Sequence, residues 1–286
     1  MANLKEIRNR ISSVTSTMKI TSAMKMVSAA KLKKAQDAIT AMRPYSEKLT
    51  DLMSNFSEII SSSSISYLSE TRDVKNVLVV SICSNKGLCG AFNSNVIKHS
   101  LSLKNEEEFK GANFSYLTIG KKANDILSKT ENIISNHSNV YDNLVYDEVA
   151  NVSEKIVEEF NLGNFDKVLI VFNSFKNAAN QIVKTEQFLP IESLDETNKT
   201  GDYIFEPSME QIVSELVPKS LKIQLFKSIR DSFAGEHGAR MTAMHKATDN
   251  ATELRDELKL TYNKARQAAI TNEILEIVSG AEALNG

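Results

Sequence analysis

The sequence contains few of the residues that interrupt regular structure. Its 286 residues include 4 prolines and 10 glycines, and tryptophan is absent. Because proline and glycine mark most turns and helix ends, we expect a chain with so few of them to form long, continuous elements. The length is compatible with one large domain or two of ordinary size.

Cysteine and histidine are also scarce. Cys83 and Cys89 are the two cysteines, and they lie in one short segment. Two thiols at this spacing form neither a disulfide framework nor a zinc site. We therefore expect a reducing cytoplasmic compartment, and we expect no metal and no cofactor.

Long apolar runs and an excess of one charge are missing as well. No run of about 18 apolar residues occurs, so no segment is expected to span a membrane. Residues 1–10 carry several charges and no apolar stretch, which argues against an ordinary secretory signal. The net charge of −2 gives no general attraction for nucleic acid or anionic lipid.

The first 60 residues predict one long helix. Apolar or small residues recur there at steps of three and four, which is the coiled-coil period. They are Leu4, Ile7, Ile11, Val14, Met18 and Thr21, and the pattern resumes from Met24 to Ile59. Pro44 is expected to bend this helix, and residues 61–64 are interpreted as its end and a linker.

Residues 208–284 predict a second long helix, of about 110 Å if it is unbroken. Its apolar positions are Met244, Ala247, Ala251, Leu254, Leu258, Thr261, Ala265 and Ala268, followed by a displaced stripe at Ile270, Ile274, Ile277, Ala281 and Leu284. An isolated amphipathic helix leaves its apolar side in water, so we predict that the two terminal helices pair antiparallel. An ordinary bundle of shorter helices is the alternative.

Between these helices, strand and helix patterns alternate. Strands are predicted at 77–82, 114–119 and 168–172, with helices at 93–108, 121–129 and 148–160. This alternation favours an α/β layer with a largely parallel sheet, to which 181–189 adds an antiparallel edge strand. The predicted fold class is therefore α/β with a long antiparallel coiled coil. Residues 1–60 and 208–286 form the coiled coil, and a Rossmann-like domain at 73–206 is inserted.

Candidates for chemistry are weak. The segment Ser84–Gly90 lies between a strand and a helix, where free amides can bind phosphate, but its spacing fits neither the phosphate-loop nor the dinucleotide motif. A tight turn that needs glycine is the simpler interpretation. Cys89 would need a nearby base to act as a nucleophile. No paired carboxylates stand out, so acid–base chemistry has no candidate site.

The first helix carries an unbalanced charge. Between Lys5 and Arg43 it has nine basic residues and only Glu6 and Asp37 as acids. This pattern is compatible with nucleic acid, with an acidic protein partner or with a solvated coiled-coil face. We favour a protein partner, because no aromatic residue precedes Tyr45. Met18, Met24, Met26, Met241 and Met244 are interpreted mainly as core packing.

Several segments of the two helices and the central turn are more specific than these patterns. They are Ile20–Leu32, Gly87–Asn93, Ala239–Met244, Ala247–Ala251 and Tyr262–Glu273. Together they closely resemble the gamma subunit of the F-type rotary ATP synthase. Ser22 and Ala91 depart from the residues that are common in that family, and no insertion with a light-regulated dithiol is visible.

The resemblance implies a rotor. The terminal helices would turn inside a hexamer of three alpha and three beta subunits, which bind and convert the nucleotide. This chain would then have no catalytic residue of its own. The foot of the coiled coil and the α/β domain would rest on the membrane c-ring with the epsilon subunit, on the cytoplasmic face of the inner membrane. Proton or sodium flow would turn the ring.

The resemblance also implies contact residues. Those expected to meet the alpha and beta subunits are Met24, Arg240, Arg266, Gln267, Thr271, Ile274, Leu275, Ile277 and Val278. Tyr203 and Glu206 are expected to meet the c-ring. Two other functions stay open from the residues alone. One is a basic coiled-coil adaptor for another assembly, and the other is a small α/β nucleotide enzyme with helical extensions.

Overall fold

The computed structural model describes residues 4–55, 68–70, 72–191, 206 and 208–285. The predicted linker at 61–64 and the predicted contact residue Tyr203 lie outside these ranges. Helix α1 spans Leu4–Asn55 and helix α6 spans Met209–Asn285. Both predicted terminal helices are confirmed, and each continues through its internal proline, Pro44 or Pro218.

Among the described residues, five strands and four shorter helices lie between them along the chain. The strands are β1 (Asn76–Ile82), β2 (Asn113–Ile119), β3 (Asn132–Asn136), β4 (Lys167–Phe175) and β5 (Gln181–Leu189). The helices are α2 (Phe92–Ser102), α3 (Lys121–Leu127), α4 (Ser138–Asp142) and α5 (Tyr146–Asn161). The predicted helix 93–108 is therefore shorter than expected, and two 3₁₀ turns, Leu103–Asn105 and Glu107–Phe109, follow it.

The sheet has the strand order β3-β2-β1-β4-β5. Strands β3, β2, β1 and β4 are parallel, whereas β5 is antiparallel to β4. The predicted α/β layer and its antiparallel edge strand are confirmed. Strand β3 was not predicted, because its sequence, Asn-Ile-Ile-Ser-Asn, contains only two apolar residues and alternates between exposed and half-buried positions.

The chain forms two compact units. The first contains Met1–Ser28 and Met241–Gly286, and the second contains Ala29–Arg240. Both long helices contribute residues to both units. The division inferred from sequence, at 1–60, 73–206 and 208–286, stays a prediction, because these units divide the chain within the long helices.

The first unit is an antiparallel helix pair. On α1, Ile7 and Thr21 are buried, and the other predicted seam residues (Leu4, Ile11, Val14 and Met18) are half-buried. On α6, Met244 and Ala251 are buried. The stripe predicted on α1 is thus the one that faces the partner helix.

Beyond Ala251 on α6, the predicted stripe is confirmed at Leu258 and Ala265 but is wrong at its other three positions. Leu254 is 46% exposed, and Thr261 and Ala268 are exposed too, whereas the half-buried residues are Arg255, Leu258, Tyr262, Ala265 and Ala269. The seam takes a four-residue step after Ala251 instead of the expected three. Arg255 and Tyr262 are long amphipathic side chains, so they can cover the seam with their apolar parts and keep their polar ends in contact with α1.

The second unit has an apolar core on each face of its sheet. Leu78, Val80 and Ile82 of β1 join one core with residues of α5 and α6, while Val77 and Val79 join the other with residues of α2 and α3. Successive residues of a strand point to opposite faces, so a continuous apolar run is what a doubly covered strand requires. None of the helices in the described part of the chain is long and apolar enough to cross a membrane.

Candidate partner-contact surface

Polar contacts align the helix pair of the first unit. The hydroxyl oxygens of Thr21 and Thr248 lie 2.7 Å apart. Arg255 donates to the Met18 sulfur at 3.5 Å, and Arg8 donates to the Tyr262 hydroxyl at 2.9 Å. From the first of these contacts to the last, the residue numbers fall along α1 and rise along α6. The contacts therefore confirm the predicted antiparallel pairing.

The end of α6 extends past this seam. Helix α1 begins at Leu4 and Arg8 already pairs with Tyr262, so little of α1 remains to face residues beyond Ala269. All residues from 270 to 282 are exposed. We call residues 270–285 the C-terminal extension. The displaced apolar stripe, including Ile270, Ile274 and Ile277, therefore lies outside the seam.

Most of the predicted contact residues lie in or next to the C-terminal extension. Arg266, Gln267 and Thr271 are exposed. The large apolar side chains are exposed to an unusual degree: Ile274 55%, Leu275 58%, Ile277 70% and Val278 51%. Contiguous exposed apolar residues of this kind mark protein–protein contact surfaces.

Four predicted contact residues are not in or next to this extension: Met24, Tyr203, Glu206 and Arg240. Met24 is half-buried, in a part of α1 where Ile20, Met26 and Val27 are exposed. Met26 was grouped with the core methionines, and at 65% exposure it does not pack in the seam. Glu206 is exposed, and Tyr203 lies outside the described residues.

Arg240 is buried inside the second unit. Its side chain is 9% exposed and pairs with Glu236, whose side chain is 6% exposed. The same guanidinium donates to the backbone carbonyls of Lys86 at 3.1 Å and Gly87 at 3.2 Å. A contact of Arg240 with a partner subunit stays a prediction, but the structure already gives this group three internal acceptors. The sequence signal we missed is Glu236, four residues earlier on one helix face.

The turn that receives Arg240 joins β1 to α2. Gly90 has a φ of 61° and Leu88 a φ of 63°, so the interpretation of this segment as a tight turn that needs glycine is confirmed at Gly90. Burial raises the pKa of the Cys89 thiol above its usual value. A neutral thiol is a poor nucleophile, which disfavours the catalytic reading of this residue.

A metal site has little basis in the described ranges. No group of three or more His, Cys, Asp or Glu side chains there is placed to hold a metal ion. What the structure offers instead is a pair of terminal helices with an exposed, partly apolar end, and a Rossmann-like sheet between them. This combination defines a class of protein that works through its contacts in a larger assembly.

Comparison with known proteins identifies the family within this class. The family described as ATP synthase matches residues 3–284. Two relatives named ATP synthase gamma chain, from Flavobacterium psychrophilum and Flavobacterium johnsoniae, are each 64% identical over the whole of both chains. A third, from Geobacter metallireducens, is 42% identical over the same full extent. The chain belongs to the ATP synthase gamma chain family, as the resemblance of its terminal helices predicted.

Solved structures share the fold. A chain of the Euglena gracilis mitochondrial ATP synthase has a TM-score of 0.70 and 20% identity, with 98% of this chain and 94% of that chain covered. A chain of the Tetrahymena thermophila mitochondrial ATP synthase, from its central stalk and c-ring, has a TM-score of 0.56 and 25% identity. That match covers 80% of this chain and 99% of the other.

Proposed function

We propose that this chain is the central rotor shaft of an F-type ATP synthase. It would couple rotation of a membrane c-ring to ATP synthesis or hydrolysis on a hexamer of three alpha and three beta subunits. The observation that carries the proposal is the C-terminal extension of α6, which exposes Ile274, Leu275, Ile277 and Val278 to any surrounding partner. Family membership supports the identity of that partner.

Nucleotide conversion is assigned to the alpha and beta subunits, and this chain acts on them through contacts. Arg266, Gln267 and Thr271 supply polar groups where the extension begins, and the apolar side chains follow. Met24 supplies a further contact from α1. Because residues 270–282 are exposed on every side of the helix, such contacts are available at successive rotational angles. Weak, similar contact energies at each angle would let the shaft turn without stopping in one pose.

A second set of contacts is assigned to the c-ring and the epsilon subunit. We place Tyr203 and Glu206 against the c-ring, with the epsilon subunit beside the α/β domain. The complex would then be peripheral to the cytoplasmic face of the inner membrane. The exposed position of Glu206 is compatible with this contact.

Purification of the native complex tests the partners. A tagged chain should co-purify with alpha and beta subunits, in a ratio of three alpha and three beta subunits to one copy of this chain. The rival interpretation, a basic coiled-coil adaptor, predicts a different set of partners. Recovery of the chain without alpha and beta subunits would refute the rotor assignment.

A second experiment tests the C-terminal extension. The double variant Ile274→Ser, Ile277→Ser should generate less torque during ATP hydrolysis, because both apolar contacts with the hexamer are lost. The complex should still form. The matched control is Leu162→Ser, at another apolar residue, which is 74% exposed at the end of α5. Equal torque in the double variant and the control would show that the extension does not carry the contact.

A further inference from the structure

The ion pair between Glu236 and Arg240 is the most deeply buried charge pair of the second unit that the structure describes. The two side chains lie one helical turn apart on α6 and are 6% and 9% exposed. Removing two charges from water is unfavourable unless hydrogen bonds within the protein replace those lost to water. Arg240 makes such bonds by donating to the carbonyls of Lys86 and Gly87.

Those two carbonyls belong to a turn with an uncommon backbone. Leu88 has a φ of 63°, in the left-handed region that residues with side chains rarely adopt. Such a conformation persists only where neighbouring contacts hold it. One contact is internal, since the Ser84 hydroxyl donates to the Lys86 carbonyl at 2.7 Å. A further contact comes from Arg240 on α6.

The same stretch of α6 approaches the rest of the second unit by its backbone. A Cβ atom on Gly238 would lie 3.2 Å from the Cα and carbonyl oxygen of Ala178, in the segment between β4 and β5. One on Gly235 would lie 3.3 Å from side-chain atoms of Gln181 and Phe92. Two glycines and one ion pair within six residues therefore bring the helix against the β1–α2 turn, the starts of α2 and β5, and the β4–β5 connection.

We propose that residues 235–240 form a clamp that fixes α6 to the β1–α2 turn and to the β4–β5 connection, with Glu236 and Arg240 as its polar centre. Resting on the proposed rotor function, the clamp transfers torque between the α/β domain and the helix that continues from it. Arg240 is then a positioning residue, whose guanidinium acts on its own chain. This role differs from a direct contact with a beta subunit.

Two variants distinguish the loss of the clamp's hydrogen bonds from the effect of a buried charge on stability. Arg240→Lys keeps a cation beside Glu236 but has no planar fork to reach both carbonyls. The double change Glu236→Leu with Arg240→Leu removes both charges, and apolar replacement of a buried pair is often neutral for stability. Lys219→Ala is the matched control, because Glu215 and Lys219 form a pair with the same spacing on α6 at the surface.

The variants are made in the full complex and read in two ways. Hydrogen exchange of residues 84–90 should become at least about tenfold faster in both variants, since the turn opens more often without Arg240. Ion pumping per ATP hydrolysed should fall while ATP hydrolysis persists. Lys219→Ala should change neither quantity. If the double variant fails to assemble, Arg240→Lys decides the question alone.

Different results overturn different claims. Unchanged exchange and unchanged pumping in both variants would refute the clamp and leave the rotor assignment intact. Reduced pumping with unchanged exchange at residues 84–90 would also refute it and would favour a direct partner contact of Arg240. Absence of alpha and beta subunits from the purified unaltered complex would refute the proposed function itself.

Discussion

The two units are stabilised in different ways, although the same two helices run through both. In the second unit a five-stranded sheet is covered on both faces, and Tyr116, Ile156 and Phe160 are fully buried. In the first unit the described residues that are buried include Ile7, Thr21 and Met244, along a narrow seam between two helices. Hydrophobic stabilisation scales with the apolar area removed from water, so the second unit has by far the larger share.

Helix α6 shows the contrast within one element. In the second unit it buries Val213, Val217, Leu221, Leu225 and Ile229 against the sheet. In the C-terminal extension, side chains of the same kinds are exposed. An apolar stripe therefore predicts that a helix face is in contact, but it does not identify the partner. In the second unit the partner is the sheet of the same chain. For the C-terminal extension, under the rotor proposal, the partners are other subunits.

The largest expected effect comes from breaking the core of the second unit. Phe160→Ala on α5 should lower the free energy of unfolding by about 3–5 kcal/mol, because the ring is fully buried and its loss leaves a cavity. Urea unfolding of the purified chain measures the loss. Hydrogen exchange should locate it in strands β1 and β4, with a smaller change in residues 4–28.

Leu162→Ala, two residues later and 74% exposed, is the control and should change the stability by less than about 0.5 kcal/mol. A similar loss in both variants would contradict the view that the second unit is held by its two apolar cores.

The difference between the apolar cores of the second unit and the narrow seam of the first also explains what the sequence could predict. Strands β1 and β4 contain continuous apolar runs, β2 is rich in aromatic and β-branched residues, and the long helices contain few breakers. The type and order of these elements could therefore be predicted. The edge strand β3 was missed because its contacts lie on one side only. The seam positions of Arg255 and Tyr262 were not predicted, because a search for apolar residues does not include these side chains. The contact of Arg240 with a turn more than 150 residues away has no local signal.

Acid should affect the second unit more than the first. His237 is 5% exposed, and neither ring nitrogen has a hydrogen-bond partner among the described residues. Burial, and then the positive charges of Arg240 and Lys31, lower the pKa of His237 from 6.5 to about 4. The unfolded chain therefore binds more protons between these values, and stability should fall as the pH falls from 6.5 towards 4.

The expected loss between pH 6.5 and pH 5 is about 1–2 kcal/mol. Burial raises the pKa of Glu186 and Asp231, which gives a pH dependence of opposite sign. The test is therefore the difference between the unaltered chain and His237→Gln, measured by urea unfolding at several pH values. His245→Gln, at an exposed histidine, is the control. Parallel pH curves for the unaltered chain and His237→Gln would show that His237 is not the titrating group.

The smallest effect should come from the polar contacts of the seam. The hydroxyls of Thr21 and Thr248 share one hydrogen bond, so Thr21→Val and Thr248→Val should each destabilise the first unit by about 1 kcal/mol. Because both changes remove the same bond, the double variant should lose less than the sum of the two. Hydrogen exchange of residues 4–28 and 241–269 measures this local opening, with exchange in β1 as the internal control. Additive losses would mean that the two hydroxyls do not act as a pair. The narrow seam would then be aligned by the contacts of Arg8, Thr252 and Arg255 and by apolar packing.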